Sequence, residues 1–293
     1  MIGLSVLQIT LGGLIFLAIG YVLVGSVRLM PGKAALSKDL FEALLSMTLV
    51  AGSLFVVFLL GTWALVPALL ALATRTGYEA AHVRLGPNKA GQGAVVGFLL
   101  SACAMLAPIL ATVLAGIWFL LLARFMLFPA PRTARVWHWV EVLLFPLIPV
   151  AILSWAALDP TLRPVVLITY ILIETFDSYA LVSGKLFGRT KAFPTLSPRK
   201  TIEGLAGGAV CLVLTLLLAA WVLDLPALAA IGAALLIGGV AVAGDLAASR
   251  LKRMAGVKDY PVVLPKQGGL LDILDSWIAA GAALAVVLFL VGT

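Results

Sequence analysis

Charged residues are scarce in this sequence of 293 residues: Asp, Glu, Lys and Arg make up 11% of it, whereas hydrophobic residues make up 63%. A soluble domain carries about 25% charged residues, so the composition excludes an ordinary soluble protein. The mean hydropathy of +1.16 indicates a chain that lies mostly in lipid. Because a span needs about 20 apolar residues, we predict an all-α, polytopic integral membrane protein with about eight to ten transmembrane helices.

Cysteine is also rare, and its placement excludes two further classes of structure. The two cysteines, Cys103 and Cys211, lie in apolar runs, which is no pattern for a disulfide framework or a zinc site. The first apolar run, 4–24, has no basic segment before it and no clear cleavage site. We therefore expect a retained span there rather than a signal peptide.

The distribution of polar residues predicts the organisation of the chain. We divide it into N-terminal transmembrane helices, residues 1–160, and a C-terminal catalytic transmembrane domain, residues 161–293. Residues 74–92 are predicted to form a polar loop, whose side of the membrane stays open. Two basic segments, 184–201 and 249–271, are separated by two predicted spans and should lie on the same face. Their excess of Lys and Arg predicts that this face is cytoplasmic.

Polar residues between Asp245 and Asp275 interrupt the apolar sequence near its C-terminal end. Asp245, Ser249 and Lys252 are spaced so that a helix would place them on one face. Asp272 and Asp275 open the last predicted span, where a helix dipole favours carboxylates. Polar groups at membrane depth are costly and tend to mark function. If the three aspartates converge, they form an oxygen-rich site suited to Mg²⁺.

A second polar stretch lies upstream. Ser197 and Pro198 predict a turn into a helix, with Ser197 as the candidate cap. The free N–H groups of that helix, together with Lys200 and Thr201, would form an anion site. Asp177 lies inside a predicted span, so we expect its carboxylate to face a polar cavity rather than lipid.

Each of these features also has a plainer interpretation. Asp272 and Asp275 alone could be ordinary charges at a helix start. Lys252 and Arg253 alone could be positive-inside residues. The pair Gly268-Gly269 could form a simple turn, although two glycines would also let the backbone approach a phosphate. The combination of all of them is much less expected by chance than any one alone.

Two sets of residues match a known pattern in order and spacing. The C-terminal set is Gly244, Asp245, Leu246, Ser249, Lys252, Arg253, Lys258, Asp259, Gly268, Gly269, Asp272 and Asp275. The upstream set is Asp177, Gly184, Gly188, Ser197, Pro198, Lys200, Thr201, Glu203 and Gly204. Together they resemble the signature of the phosphatidate cytidylyltransferases, also called CDP-diacylglycerol synthases, over residues 165–290. Two positions depart from that pattern: Gln267 stands in place of His, and Ile273 in place of Arg.

The resemblance implies a nucleotidyltransferase of phospholipid biosynthesis, in which CTP and phosphatidate give CDP-diacylglycerol and pyrophosphate. The catalytic residues that it implies are Asp245, Asp272, Asp275, Lys252 and Lys258. The substrate-binding residues that it implies are Ser197, Lys200, Thr201, Ser249, Arg253, Lys185, Asp177, Gly268 and Gly269. Asp245, Asp272 and Asp275 are the expected ligands of Mg²⁺, and a second, monovalent cation is left open.

The expected partners are CTP, phosphatidate and membrane lipids, with no nucleic acid, and a homodimer is left open. We expect the inner or plasma membrane as the location, with the active site facing the cytoplasm. Three alternatives stay open: a CTP-dependent lipid kinase, a CDP-archaeol-type synthase, and an ion-coupled transporter without enzymatic activity. The sequence shows no inverted repeat, which argues against the transporter.

Overall fold

Helices make up nearly all of the structure, a computed structural model that describes residues 5–127, 135–263 and 268–291. The α-helices are, in chain order, α1 (Val6–Arg28), α2 (Ala34–Leu60), α3 (Thr62–Leu85), α4 (Ala90–Leu106), α5 (Pro108–Leu127), α6 (Arg135–Val142), α7 (Ile148–Leu158), α8 (Arg163–Phe187), α9 (Ile202–Val222), α10 (Ala227–Met254) and α11 (Leu270–Val291). The shorter elements are a 3₁₀ turn (Pro87–Lys89), a π-helical segment (Leu143–Leu147) and two antiparallel strands, β1 (Lys191–Phe193) and β2 (Ser197–Thr201).

Eight helices in the described part of the chain are long and apolar enough to cross a membrane. They are Val6–Arg28, Ser37–Leu60, Pro87–Leu106, Trp137–Leu158, Arg163–Phe187, Ile202–Val222, Ala227–Met254 and Leu270–Val291. Large apolar side chains stay exposed along them, such as Leu214 on α9 and Leu235 on α10. This confirms the predicted polytopic, all-α membrane protein, to which the structure adds the hairpin of β1 and β2.

The predicted polar loop at 74–92 is wrong, because most of this segment is helical. α3 continues to Leu85 and α4 begins at Ala90, with a short 3₁₀ turn between them. Arg75 and Glu79 lie four residues apart on α3 and form an ion pair at 2.6 Å, a spacing that stabilises helices. Glu79 is fully buried, so this polar segment turns toward the interior instead of projecting into water.

The hairpin corrects the prediction for the start of α9. Ser197 lies in β2, and Thr201 is the residue that caps the helix: its Oγ1 accepts a hydrogen bond from the Gly204 N–H at 3.1 Å. Glu203 in the first turn of α9 accepts hydrogen bonds from the backbone N–H groups of residues 189–190, at 3.1 Å each. These bonds hold the residues just before β1 against the start of α9, and the pairing of β1 with β2 keeps Ser197 extended.

Two apolar runs that are too long for one span are each divided into two helices. The run at 43–73 breaks at Gly61, whose φ of 71° lies in the left-handed region that glycine adopts at little cost. The run at 94–123 breaks just before Pro108, since proline lacks the N–H that a continuous helix needs. α3 and α5 are therefore separate helices rather than extensions of α2 and α4.

The chain forms two compact units, which divide between Val66 and Pro67. In the first unit α1 packs against α2, and the hydroxyls of Tyr21 and Thr48 hydrogen-bond at 3.0 Å between them. Ser37 Oγ on α2 also donates to a carbonyl of α1 at 3.0 Å. Such contacts satisfy polar groups that would otherwise face lipid. The division at residue 160 concerned the location of catalytic residues, and it stays a prediction.

Helices α7, α8 and α11 form the centre of the second unit. Every residue of α7 from Ile148 to Ala157 is buried. Trp277 on α11 meets Tyr170 on α8 edge to face, with ring centroids 5.7 Å apart. Its indole N–H also donates to the Val166 carbonyl at 3.0 Å. These contacts fix the first half of α11, which carries two of the predicted aspartates, against α8.

Close packing of α8 and α9 depends on glycines. A Cβ added at Gly208 on α9 would lie 2.9 Å from the Ala180 Cβ on α8, and one added at Gly204 would lie 2.8 Å from the Ala180 carbonyl oxygen. Small residues of this kind let membrane helices approach each other. The approach brings α8, which carries Asp177, close to the hairpin that carries Lys200.

We expect Gly208→Leu to destabilise the protein, because the added side chain must push α9 away from the Phe176 carbonyl oxygen on α8. Overpacking of this kind costs about 1–3 kcal/mol. Gly239→Leu on α10 is the matched control, since a Cβ there meets nothing within 4 Å. Melting temperatures of the purified variants in detergent provide the measurement. Equal temperatures for the two variants would contradict the close contact of α8 with α9.

Candidate active site

One group of predicted site residues lies on α10. The helix is continuous from Ala227 to Met254, so Asp245, Ser249 and Lys252 lie on consecutive turns, as their spacing predicts. Ser249 and Lys252 are buried, whereas 21% of the Asp245 side chain remains accessible. The polar residues of α10 therefore lie in the last part of the helix, between its apolar portion and the segment that leads to α11.

Gly244 brings α10 into contact with α11 next to these residues. A Cβ at Gly244 would lie 2.6 Å from the Ala279 Cβ and 2.9 Å from the Asp275 carbonyl oxygen. Asp245, the next residue of α10, is close enough to Asp275 for the two carboxylate charges to interact. The absent side chain at Gly244 therefore explains how two carboxylates from different helices come together.

Lys200 on β2 supplies a positive charge to this acidic group. Its Nζ lies 2.8 Å from Asp245 Oδ2, and the two side chains are 24% and 21% exposed. Burial alone would lower the pKa of Lys200, but the charges of Asp245 and then Asp177 raise it above its ordinary value. Asp275 acts on Lys200 in the same direction. The ammonium group is therefore held in its charged form by carboxylates from three helices.

Asp177 completes this group from α8. The charges of Lys200 and Asp245 both act on its carboxylate. Glu174 lies nearly one turn earlier on the same helix and is also close enough to Asp177 for their charges to interact. The charged neighbours Lys200 and Asp245 come from β2 and α10, and the expectation that Asp177 avoids lipid stays a prediction. We call Lys200, Asp177, Asp245 and Asp275 the central cluster.

Asp272 has a different set of partners from the central cluster. One of its oxygens forms an ion pair with the Lys252 ammonium group. Its Oδ2 accepts hydrogen bonds from the backbone N–H groups of Tyr260 and Gly269, at 2.9 Å each. Lys252 also lies 5.2 Å from the centroid of the Tyr260 ring. Asp272 thus ties α10, the segment after it and the start of α11 together.

Glu79 on α3 is a functional candidate that the sequence analysis missed. Its Oε1 accepts a hydrogen bond from the Leu270 N–H at 2.9 Å, and its Oε2 accepts one from the Leu271 N–H at 2.7 Å. Arg75 pairs with Glu79 and donates from Nη2 to the Pro261 carbonyl at 2.7 Å. The spacing of Arg75 and Glu79 could have indicated a helix, but no signal in the sequence points to a contact 191 residues away.

The other predicted residues lie on or next to the same elements. Thr201 caps α9, and Ser197 lies on β2 in the same hairpin as Lys200. Arg253 is exposed and donates to the Val257 carbonyl at 3.0 Å. Lys185 near the end of α8 and Lys258 after α10 are exposed. Their roles toward substrate stay predictions.

Protein side chains fill the space beside the glycine pair. A Cβ at Gly269 would lie 2.6 Å from the Tyr260 Cβ and 2.7 Å from Glu79 Oε2. Gly268 has a φ of 87° and faces the Asp272 carboxylate. This packing already accounts for both glycines, and their contact with a phosphate stays a prediction. Gln267 lies outside the described residues.

The carboxylates of this site are of the chemical type that binds Mg²⁺, but they are not arranged as a complete metal site. In the described part of the chain, no three His, Cys, Asp or Glu side chains converge closely enough to hold a metal ion. Asp245 and Asp275 nevertheless offer carboxylate oxygens, the donors that Mg²⁺ prefers, and a divalent cation between them would relieve their repulsion. Both oxygens of Asp272 already have partners, Lys252 on one and the N–H groups of Tyr260 and Gly269 on the other. Asp245 and Asp275 are therefore the better placed of the three predicted ligands.

Relatives with similar sequences carry names that agree with the motif. The chain is 41% identical over 121 residues to "Phosphatidate cytidylyltransferase 5, chloroplastic" of Arabidopsis thaliana, which covers 40% of this chain and 30% of the relative. It is 40% identical over 129 residues to "Phosphatidate cytidylyltransferase" of Synechocystis sp., covering 43% and 44%. A Staphylococcus aureus protein of the same name is 35% identical over 115 residues, covering 39% and 44%.

The matched region spans less than half the length of each of these relatives. A broader comparison, with the family described as "Cytidylyltransferase family", matches residues 41–291. This match includes both polar stretches, the hairpin and α3 with Glu79. Because it extends over most of the chain, the protein belongs to the cytidylyltransferase family.

Proposed function

We propose that this protein transfers the cytidylyl group of CTP to the phosphate of phosphatidate, forming CDP-diacylglycerol and pyrophosphate. The central cluster is the observation that carries the proposal: Lys200 lies 2.8 Å from Asp245, among carboxylates of α8, α10 and α11. A cationic group for phosphate and hard oxygen donors for a divalent cation thus occur together. Membership in the family and the names of the relatives support the same reaction.

The reaction requires positioning and charge neutralisation more than proton transfer. A phosphatidate oxygen attacks the α-phosphorus of CTP, the new P–O bond forms, and the bond to the bridging oxygen of the β-phosphate breaks as pyrophosphate leaves. Phosphatidate is already ionised, so no general base is needed. Lys200 and Lys252 would shift from their aspartates toward phosphate oxygens, where ionic hydrogen bonds are strong. Backbone N–H groups and hydroxyls, including that of Ser249, would orient the substrates.

Mg²⁺ is the proposed cofactor. Asp245 and Asp275 would hold it, with Asp272 as a further ligand after release of Lys252. When bound, Mg²⁺ neutralises charge on the triphosphate oxygens and favours loss of pyrophosphate. The role of a monovalent cation and the formation of a homodimer stay predictions.

The alternatives receive less support. A CTP-dependent lipid kinase would move the γ-phosphoryl group to a hydroxyl, and an ion-coupled transporter would catalyse no transfer, but the three relatives described above are named as cytidylyltransferases. A CDP-archaeol-type synthase would perform the same chemistry on an ether lipid. We therefore propose cytidylyl transfer with phosphatidate as the acceptor.

The proposed reaction is tested with purified protein, CTP, Mg²⁺ and one of three lipids: phosphatidate, its archaeal ether analogue or diacylglycerol. Mass spectrometry of the lipid product and an assay for pyrophosphate provide the readouts. We expect a CDP-lipid and pyrophosphate with phosphatidate as the preferred acceptor. Phosphorylated lipid and CDP from diacylglycerol would identify a kinase instead, and the absence of turnover with all three lipids would contradict the proposal.

We expect Asp245→Asn to lower kcat/KM more than tenfold, or about 1.4 kcal/mol in the barrier. The substitution removes the anionic partner of Lys200 and a proposed oxygen ligand of Mg²⁺. Asp224→Asn is the matched control, because Asp224 follows the opposite end of α9 from the hairpin. Both variants are assayed across a range of Mg²⁺ concentrations. Retention of more than a tenth of wild-type kcat/KM by Asp245→Asn would remove Asp245 from the proposed site.

The active site is proposed to face the cytoplasm, since CTP is a cytosolic substrate and Lys and Arg are concentrated at this end of the helices. In a background without Cys103 and Cys211, a cysteine at exposed Lys191 or Val257 should react only with reagent on the cytoplasmic side. A cysteine at exposed Leu225, between α9 and α10, should react only from outside. Labelling of Lys191→Cys or Val257→Cys from outside would reverse the proposed orientation.

A further inference from the structure

We propose that Glu79, with its partner Arg75, is a positioning residue that holds the start of α11 in the geometry needed for cytidylyl transfer. Among the contacts of the described residues, Glu79 has no hydrogen bond or ion pair with a member of the central cluster; its bonds are to Arg75 and to the N–H groups of Leu270 and Leu271. It acts through α11, whose first turns carry Asp272 and Asp275. The catalytic part of this inference rests on the proposed function, whereas the contacts themselves do not.

The hydrogen bonds of Glu79 satisfy the free end of α11. The first N–H groups of any α-helix have no partner within the helix. Each carboxylate oxygen of Glu79 accepts one of them, from Leu270 at 2.9 Å and from Leu271 at 2.7 Å. A carboxylate at this end of a helix also interacts favourably with the helix dipole. α3 therefore caps the N–H groups of Leu270 and Leu271, while Asp272 of α11 itself accepts the N–H of Gly269.

Arg75 extends the same contact to the segment before α11. Its Nε donates to Glu79 Oε1 at 2.6 Å, and its Nη2 donates to the Pro261 carbonyl at 2.7 Å. The preceding residue, Tyr260, donates its N–H to Asp272 Oδ2 at 2.9 Å. Arg75 thus binds the chain next to Tyr260, and Glu79 binds it next to Gly269. Tyr260 and Gly269 are the two residues whose N–H groups bond to Asp272. We call this arrangement the α3 clamp.

Gly269 links the clamp to the motif. A Cβ at this position would lie 2.7 Å from Glu79 Oε2 and 2.6 Å from the Tyr260 Cβ. Any side chain here would push the carboxylate away from the N–H groups of α11. The glycine is therefore needed for Glu79 to approach, which is a local reason for its presence beside the catalytic aspartates.

A displacement at the start of α11 would affect both the Asp272–Lys252 ion pair and the central cluster. Asp272 pairs with Lys252, and Asp275 lies one turn later, where its backbone packs against Gly244. A small shift or rotation of the first turn would change the separation of Asp275 from Asp245 and of Asp272 from Lys252. Reactions that depend on preorganised charge are sensitive to errors of this size. The rate at saturating substrate should therefore suffer more than binding of CTP.

The chain offers a matched control for an ordinary structural effect. Glu141 on α6 is also buried and pairs with an arginine of α3, Arg84. That pair has no hydrogen bond to α11 among the contacts of the described residues. Glu141→Gln and Glu79→Gln thus each remove the charge of a buried glutamate that pairs with an arginine of α3, and only the second removes it from the α3 clamp.

The test compares wild type, Glu79→Gln and Glu141→Gln as full-length purified proteins in detergent with lipid. We expect Glu79→Gln to lower kcat at least tenfold while the KM for CTP changes less than about threefold, and to require more Mg²⁺ for half-maximal rate. Glu141→Gln should keep kcat within about threefold of wild type, even if its melting temperature falls as much as that of Glu79→Gln. Glu79→Asp, which retains the charge on a shorter side chain, should recover part of the lost kcat.

Hydrogen exchange supplies a readout that does not depend on activity. In wild type the N–H groups of Leu270 and Leu271 are bonded to Glu79, so a peptide covering residues 268–274 should exchange slowly. Exchange there should accelerate in Glu79→Gln and stay unchanged in Glu141→Gln. Faster exchange in both variants alike would reduce Glu79 to an ordinary stabilising residue.

The outcomes separate failure of the clamp from failure of the proposed function. If wild type transfers the cytidylyl group and Glu79→Gln keeps its kcat, the positioning role is wrong while the function stands. If wild type shows no transfer, the proposed function and the catalytic part of this inference both fail. The exchange of residues 268–274 would then still decide whether the α3 clamp holds α11.

Discussion

The ion pair between Lys200 and Asp245 is the interaction on which the rest of the site depends. A carboxylate close to the apolar part of a membrane helix is costly unless a cation neutralises it. Lys200 provides that cation from the hairpin between α8 and α9, at 2.8 Å from Asp245 on α10. The pair joins segments 45 residues apart in the chain. It also places the positive charge next to Asp177 and Asp275. In the proposed function, substrate phosphates and a divalent cation exchange with these partners.

Close helix contacts make this arrangement of charges sterically feasible. Gly244 lets α10 approach α11 at Asp275, and Gly204 lets α9 approach α8 near the hairpin. Gly269 lets Glu79 reach the start of α11. In each case a side chain would separate two elements that carry site residues. The glycines of the motif therefore have a packing role that does not require contact with substrate.

Much of the C-terminal half could be predicted from sequence, because the helices and their polar faces are set by residues that are close together in the chain. The spacing of Asp245, Ser249 and Lys252 shows that they share a helix, and hydropathy shows the spans. The failures arose where tertiary contacts override local signals. Residues 74–92 are mostly helical, and Glu79 among them accepts a hydrogen bond from the start of α11, 191 residues away in the chain. The pairing of β1 with β2 likewise keeps Ser197 extended, which local turn signals could not indicate.

The central claim, that Lys200 and Asp245 stabilise each other within one site, is tested most directly by a double-mutant cycle on melting temperature. Lys200→Met, Asp245→Asn and the double variant are compared with a cycle of Lys200→Met and Asp224→Asn, in which Asp224 lies about 30 Å away at the far end of α9. Contacting residues couple by about 0.5–3 kcal/mol and distant ones add. We predict that the first double variant loses less than the sum of its single variants, and that the second loses the sum. Additive losses in the first cycle would contradict the account.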